Sequence, residues 1–358
     1  DNLKKDIEKL PIYLKYFQNI HVEKLEIDGN KFVIEIDDEI LYIDNKFVNI
    51  SAKPVFSKSK INLDLYSLYL KDLDVLLTGK VILDYNNINV LFNGTYVRND
   101  LNGSLVLKAD DKFLDFNIDS NTVKNIHFVR DFVRLNPIIE KWMYDNVLGQ
   151  YHLEKFSGRI STKNFQPILS TFKGTATVKN AKVRFHDDVD YVDTKLITVT
   201  FEDDNLYFDL LKPTYKNIDI DGSNVAIYNI SGEGSNIDVN LETKHRLNQD
   251  IIDIINAYDA QVPIKQLDGT TNSKLTINVD FQTSKVTTTG EFSSKQANFK
   301  IGNLTFLATN AKVSLNDNII HIKDTQVNYQ DNLEASLDLK LDTSSSKAIG
   351  HTTIKYLE

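Results

Sequence analysis

No cysteine occurs among the 358 residues, which removes disulfides, thiolate catalysis, zinc–thiolate sites and iron–sulfur ligation together. The compartment stays open, because a cysteine-free chain survives in reducing and oxidising surroundings alike. Long apolar runs are missing too. Nothing approaches ~18 consecutive apolar residues, so no spanning helix is encoded, and Asp1-Asn2-Leu3-Lys4-Lys5 lacks a secretory apolar region. Opening on Asp1 rather than Met, the chain reads as a processed product or fragment, with room for an anchor or export signal upstream. There is no basic stripe either: 41 Lys and Arg stand against 50 Asp and Glu, a net charge of -9, and the cations are scattered. Nucleic acid is therefore excluded as an expected partner.

Catalytic signatures are equally scarce. Gly-x-Ser-x-Gly, GxGxxG and the P-loop lysine are absent, and Ser231-Gly232-Glu233-Gly234-Ser235 reads as a glycine-bearing turn between strands. His21, His127, His152, His186, His245, His321 and His351 are dispersed, with no pair at helical ligand spacing. The best cation candidate is His186-Asp187-Asp188-Val189-Asp190 with Asp193 behind it, since hard oxygens and an imidazole suit a divalent ion. An acidic hairpin loop is the preferred reading of that segment. Asp219-Ile220-Asp221-Gly222 faintly resembles a calcium loop, but Ile230 stands where a bidentate Glu should close it, so a turn is preferred there as well. The expectation is no metal, no cofactor and no enzyme.

What the chain has is alternation. Leu275, Ile277, Val279 and Phe281, then Leu333, Ala335, Leu337, Leu339 and Leu341, and Ile197, Val199 and Phe201 recur with polar residues between them. Phe32-Ile34-Ile36, Ile61-Leu63-Leu65, Leu206-Phe208-Leu210 and Ile237-Val239-Leu241 do the same. Links as short as Asp203-Asp204-Asn205 join such runs, so neighbours are antiparallel, parallel strands needing longer crossovers. Helical spacing is confined to Leu3–Phe17, to about Phe128–Val147, to Leu247–Tyr258 and to a short stretch near Pro167–Phe172. An approximate internal repeat sets Gly174, Ala181, Val183 and Phe185 against Gly290, Ala297, Phe299 and Ile301, and Val199, Phe201, Leu206 and Phe208 against Val313, Leu315, Ile320 and Ile322. Long alternating strands must hide one face, and the helices are too few to cover it. A sandwich, a closed barrel or a curved sheet with an apolar concave face all remain open.

The stretch Leu135-Asn136-Pro137-Ile138-Ile139-Glu140-Lys141-Trp142-Met143, followed by Val147-Leu148-Gly149 and Gly158, resembles a signature of the AsmA-like superfamily of bacterial envelope proteins, in the branch of YhdP and TamB. In that pattern a Leu-Pro precedes a short Trp-bearing helix, a Gly ends it and strands follow; here Asn136 separates Leu135 from Pro137. The segments Asn205–Ile230 and Val22–Asp37 are similar in style. The resemblance implies a mainly β fold, an elongated, twisted and curved antiparallel sheet forming a repeating β-groove, with a few short helices. Its parts would be an N-terminal amphipathic helix at 1–20, a first groove segment at 21–126, a helical insert with Trp142 at 127–172, and a second groove segment at 173–358 holding the repeat of 174–208 and 290–322.

The function implied is that of a periplasmic segment, anchored to the inner membrane through a segment outside this chain, carrying phospholipid between inner and outer membranes without catalysis. Other envelope proteins would be possible partners. The apolar groove positions expected to meet lipid are Ile197, Val199, Phe201, Leu206, Phe208, Leu275, Ile277, Val279, Leu337 and Leu339, each of which also fits plain sandwich core. A structural or adhesive β-sandwich or solenoid of a bacterial surface is the alternative.

Overall fold

In the computed structural model, residues 19–27, 29–57, 59–84, 86–131, 137–257, 264–330 and 332–357 are described. The alternating runs are strands, every pairing among the described residues is antiparallel, and helix is confined to short pieces, as expected for a mainly β fold. The helix expected over Leu3–Phe17 lies outside the described residues. Two compact units are formed, one from Asp1–Val123 and His152–Ala176, the other from Lys124–Tyr151 and Thr177–Glu358.

In the first unit the strands from Asn19–Ile27 to Phe113–Ile118 form a meander, each pairing with the next, and Phe156–Ser161 pairs with Phe113–Ile118. Ala52, Leu65, Leu77, Phe92 and Tyr96 are its buried core. Two glycines shape it: Gly79 and Gly94 face each other, and a Cβ on Gly94 would lie 2.0 Å from the Thr78 carbonyl. The neighbouring strand carries a bulge between Leu65 and Leu68, so the sheet bends here. At the far end Phe172 packs edge to face on both Phe116 and Phe156, which are tilted against each other, with centroids 5.4–5.6 Å apart, and Gly158 and Gly174 leave room for the Phe172 and Phe156 rings.

In the second unit a ladder runs from Val192–Glu202 through Asn205–Leu211, Asn224–Tyr228, Asn236–His245, Thr271–Asp280, Val286–Ser294, Leu304–Asn316, Ile319–Tyr329 and Leu333–Asp342 to Lys347–Leu357. The two hairpins aligned by sequence have one register: Val199 opposes Phe208 and Phe201 opposes Leu206, while Val313 opposes Ile322 and Leu315 opposes Ile320. Helical pieces cover the early strands: Pro137–Lys141 with the wider turn Trp142–Asn146, and the helix Gln249–Ala257. Bulges interrupt Leu304–Asn316 between Ala308 and Val313, and Ile319–Tyr329 between Ile322 and Thr325. Thr325 holds this corner together. Its buried hydroxyl accepts from the Lys312 N–H at 3.1 Å and lies 3.2 Å from the Lys323 carbonyl, serving backbone groups that a regular ladder would have paired.

Two predictions follow from these contacts. Thr325→Val strands the Lys312 N–H and should cost about 1–3 kcal/mol, read as a lower urea midpoint with an unchanged slope. In the first unit, the Tyr96 hydroxyl donates to the Asp119 carbonyl at 2.7 Å, and burial, with the Asp119 charge adding to it, pushes the phenol from 10.0 up to about 12. A raised folded value means the contribution is complete below pH 10 and is lost as pH climbs through about 12. Tyr96→Phe should flatten that part of the unfolding-versus-pH curve.

Candidate apolar binding site

The two halves of the second unit's ladder treat their apolar faces differently. Over Val192–Asp280 the face is filled. Ile197, Ile227 and Ile277 are completely buried, and Ile251, Ile254 and Ile255 of the helix Gln249–Ala257 pack into the same cluster. Trp142 joins it by setting its ring edge-on to Phe208 at 4.6 Å. The turn bearing Trp142 is held from outside by Lys141, which donates to Asp187 at 2.8 Å, and by Arg130, which covers the Tyr144 ring at 4.4 Å and reaches Glu140 at 3.5 Å. Gly149 follows because the chain must pass close to its neighbour: a Cβ there would lie 2.6 Å from Val178 and 2.9 Å from the Lys179 carbonyl.

Over Val286–Leu357 the same face is hollow. A cavity of about 400 Å³ is floored by Phe306, Ala308, Ala311, Val313 and Leu315, then Ile320, Ile322, Thr325 and Val327, then Leu333, Ala335, Leu337, Leu339 and Leu341. The bulges explain the numbering: inward positions are even up to Ala308 and odd from Ala311, even up to Ile322 and odd from Thr325, so the apolar face stays inward through the bend. At the bulge Ala308 and Ala311 are small and buried, and with Val327 and Ala335 they form a thin packed floor on which Phe299, Phe306, Leu333 and Leu337 rest. On the side of the filled half, Leu247, Ile252, Ile255 and Ile264 form the wall.

That wall is an insertion between paired strands, since His245 opposes Thr271 directly. Gln266 fastens its root. Its buried carbonyl oxygen accepts from Leu247 N–H and from the Thr271 hydroxyl, both at 2.8 Å, while its amide donates to the Asp268 carbonyl at 2.9 Å. Asn248 caps the helix by accepting from Ile251 N–H at 3.2 Å. Lys216 ties the first turn down through Asp250 at 3.3 Å and Asp190 at 2.9 Å, and those two carboxylates hold its ammonium well above the usual lysine range.

Among the described residues no charged side chain lines the hollow. Its hydroxyl residues are Thr271, Ser293, Ser294, Thr325 and Thr352, of which Thr271 and Ser294 donate to Gln266 and to the Thr270 carbonyl. At one end the lining merges with the core through Leu315 and Ile320, and at the other Ile301 and Leu304 are each 47 % exposed. The mouth therefore lies at the hairpin tip around Gly302.

The expected groove residues divide between these regions. Ile197, Phe208, Leu275 and Ile277 are buried in the filled half, Val199, Leu206 and Val279 pack against them, and Phe201 is half-buried opposite Leu206. Leu337 and Leu339 line the hollow. Leu333, Ala335, Leu341, Val313, Leu315, Ile320 and Ile322 of its floor were legible as alternating or repeated positions but not as groove residues, while Phe306, Ala308, Ala311, Thr325 and Val327 escaped because the bulges interrupt the alternation of their two strands. In the acidic loop, Asp187 faces Lys141 and Arg184, Asp190 faces Lys216, and Asp193 faces Lys182 at 3.4 Å. The Lys141 hydrogen bond and charge keep the Asp187 carboxyl below its ordinary range. Among the described residues no three His, Asp or Glu side chains converge as a metal site. Asp219 accepts from Asp221 N–H at 2.9 Å in a simple turn.

The second unit is thus an antiparallel sheet with a hollow on one face whose described lining is uncharged. The family model described as YhdP protein matches residues 135–357, starting at the Leu135 that opens the Trp142 motif, and this chain belongs to the YhdP family, envelope proteins of the AsmA-like group. No curated protein and no solved structure matches the chain. Among the described residues no helix is long and apolar enough to cross a membrane.

Trp142→Ala should cost about 3–5 kcal/mol, as a buried aromatic leaving a void against Phe208, and thermal unfolding of the purified variant measures it.

Proposed function

We propose that this chain is a periplasmic part of an envelope protein that carries phospholipid between inner and outer membranes, holding the acyl chain in the hollow of the second unit without catalysis. The observation that carries this reading is the hollow's lining. An apolar space of about 400 Å³ with no charged group among the described residues that line it suits hydrocarbon. Each CH₂ moved from water into such a space gains about 0.8 kcal/mol, so even a partly inserted acyl chain is held firmly. The headgroup stays in water at the mouth beside Ile301 and Leu304, where the apolar side chains are half exposed. Membership of the YhdP family supports the envelope setting.

Native mass spectrometry of the gently purified protein should find phospholipid bound. Leu339→Glu places a carboxylate in the hollow and should remove most of that lipid while leaving the circular dichroism spectrum unchanged. A lipid-free wild type that also fails to take up added phospholipid would count against the reading and favour a structural or adhesive role.

A further inference from the structure

The inner end of the hollow is closed by two side chains. Ile255 and Phe292 line both the hollow of about 400 Å³ and a second space of about 30 Å³, which lies among Ile251, Ile254, Leu275 and Leu241 with Glu242, Thr243 and Ser273 at its polar side. They are the residues common to both linings, so they form the partition. Phe292 is placed there by the sheet: it opposes Val313, next along from the Gly290 and Leu315 pair. Its ring turns over Gly290, where a Cβ would meet it at 2.9 Å and Leu275 at 3.2 Å. The glycine is what lets the aromatic ring come this close to the sheet. Ile255 comes from the opposite side, on the helix anchored by Gln266 and Lys216, and is only 2 % exposed. From Leu304 at the mouth to Val313 beside Phe292 the slot runs roughly 25 Å, at ~3.3 Å per residue with allowance for the bulges.

We propose that Phe292 and Ile255 are a length stop: they set how far a single extended hydrocarbon chain, entering past Ile301 and Leu304, can run into the hollow. This rests on the lipid-carrying reading above and adds to it a specificity rule, affinity that rises with chain length and then stops rising. Up to the stop, each added methylene is buried and tightens binding about fourfold. Past it, the surplus stays in water at the mouth and gains nothing.

The test uses a homologous series of straight-chain saturated fatty acids, kept below their micelle concentrations and titrated calorimetrically into the full chain. Wild type should show a steep rise in affinity followed by a break. Phe292→Ala joins the two spaces and should move the break to longer chains, with at least one further gain of about fourfold per methylene. Phe292→Leu, a smaller perturbation that serves if the alanine variant fails to fold, should move it in the same direction by less. Leu337→Ala, in the same hollow but away from the partition, should weaken every chain and leave the break where it was. If the break stays put in folded Phe292 variants, or moves equally in Leu337→Ala, the stop is overturned while lipid binding stands. If no fatty acid binds at any length, the reading beneath it falls as well.

Discussion

A sheet strand that alternates Val, Ile, Leu and Phe with Thr, Asn, Lys and Asp has one face that water disfavours along its whole length. That face must be covered, and the second unit covers it in two ways. Over Val192–Asp280 the cover is helical: the turn with Trp142 and the helix with Ile251, Ile254 and Ile255 are laid on the strands until Ile197, Ile227 and Ile277 lose all contact with solvent. Over Val286–Leu357 no helix among the described residues lies over the floor itself, and the sheet bends around its own apolar face. Bending reduces exposure without filling the interior. The hollow follows from that difference, because close-packed cores leave few voids larger than a water molecule and this one is far larger.

The bend is bought with local irregularity, and each irregularity has a residue that makes it tolerable. Thr325 satisfies backbone groups freed by the bulges, and Ala308 and Ala311 put only small side chains on the inside of the corner. Gln266, buried and fully engaged, fixes the insertion that forms one wall of the hollow. None of these residues meets a ligand through its charge. The chemistry of the site is that of shape and apolar surface, which agrees with a family of envelope proteins rather than with a cleft of polarised groups.

Much of the fold was legible in the sequence because the period of two is unbroken in strands such as Leu333–Asp342 and Thr271–Asp280. The same regularity made the groove residues hard to choose. Leu275 and Leu337 look alike in an alternating pattern, yet one lies under the helix Gln249–Ala257 and the other lines open space. That distinction is made by a segment distant along the chain and carries no local signature. In Leu304–Asn316 and Ile319–Tyr329 the bulges shift the inward positions from even to odd, so a strict alternation count loses the face halfway. Gly290 was visible as a member of the repeat, but its use as the bed for the Phe292 ring needs the neighbouring strand. The Trp142 motif was the most informative stretch, and its Trp142 does set its ring edge-on against Phe208.

The most direct test of the central claim is photocrosslinking with a phospholipid whose acyl chain carries a diazirine, followed by mapping of the labelled residues by mass spectrometry. The account predicts label concentrated on Phe306, Val327, Leu337 and Leu339, on the floor of the hollow, and none on Ile197 or Ile277. Label spread over the outer polar face, or absent from the hollow while lipid is bound, would contradict it.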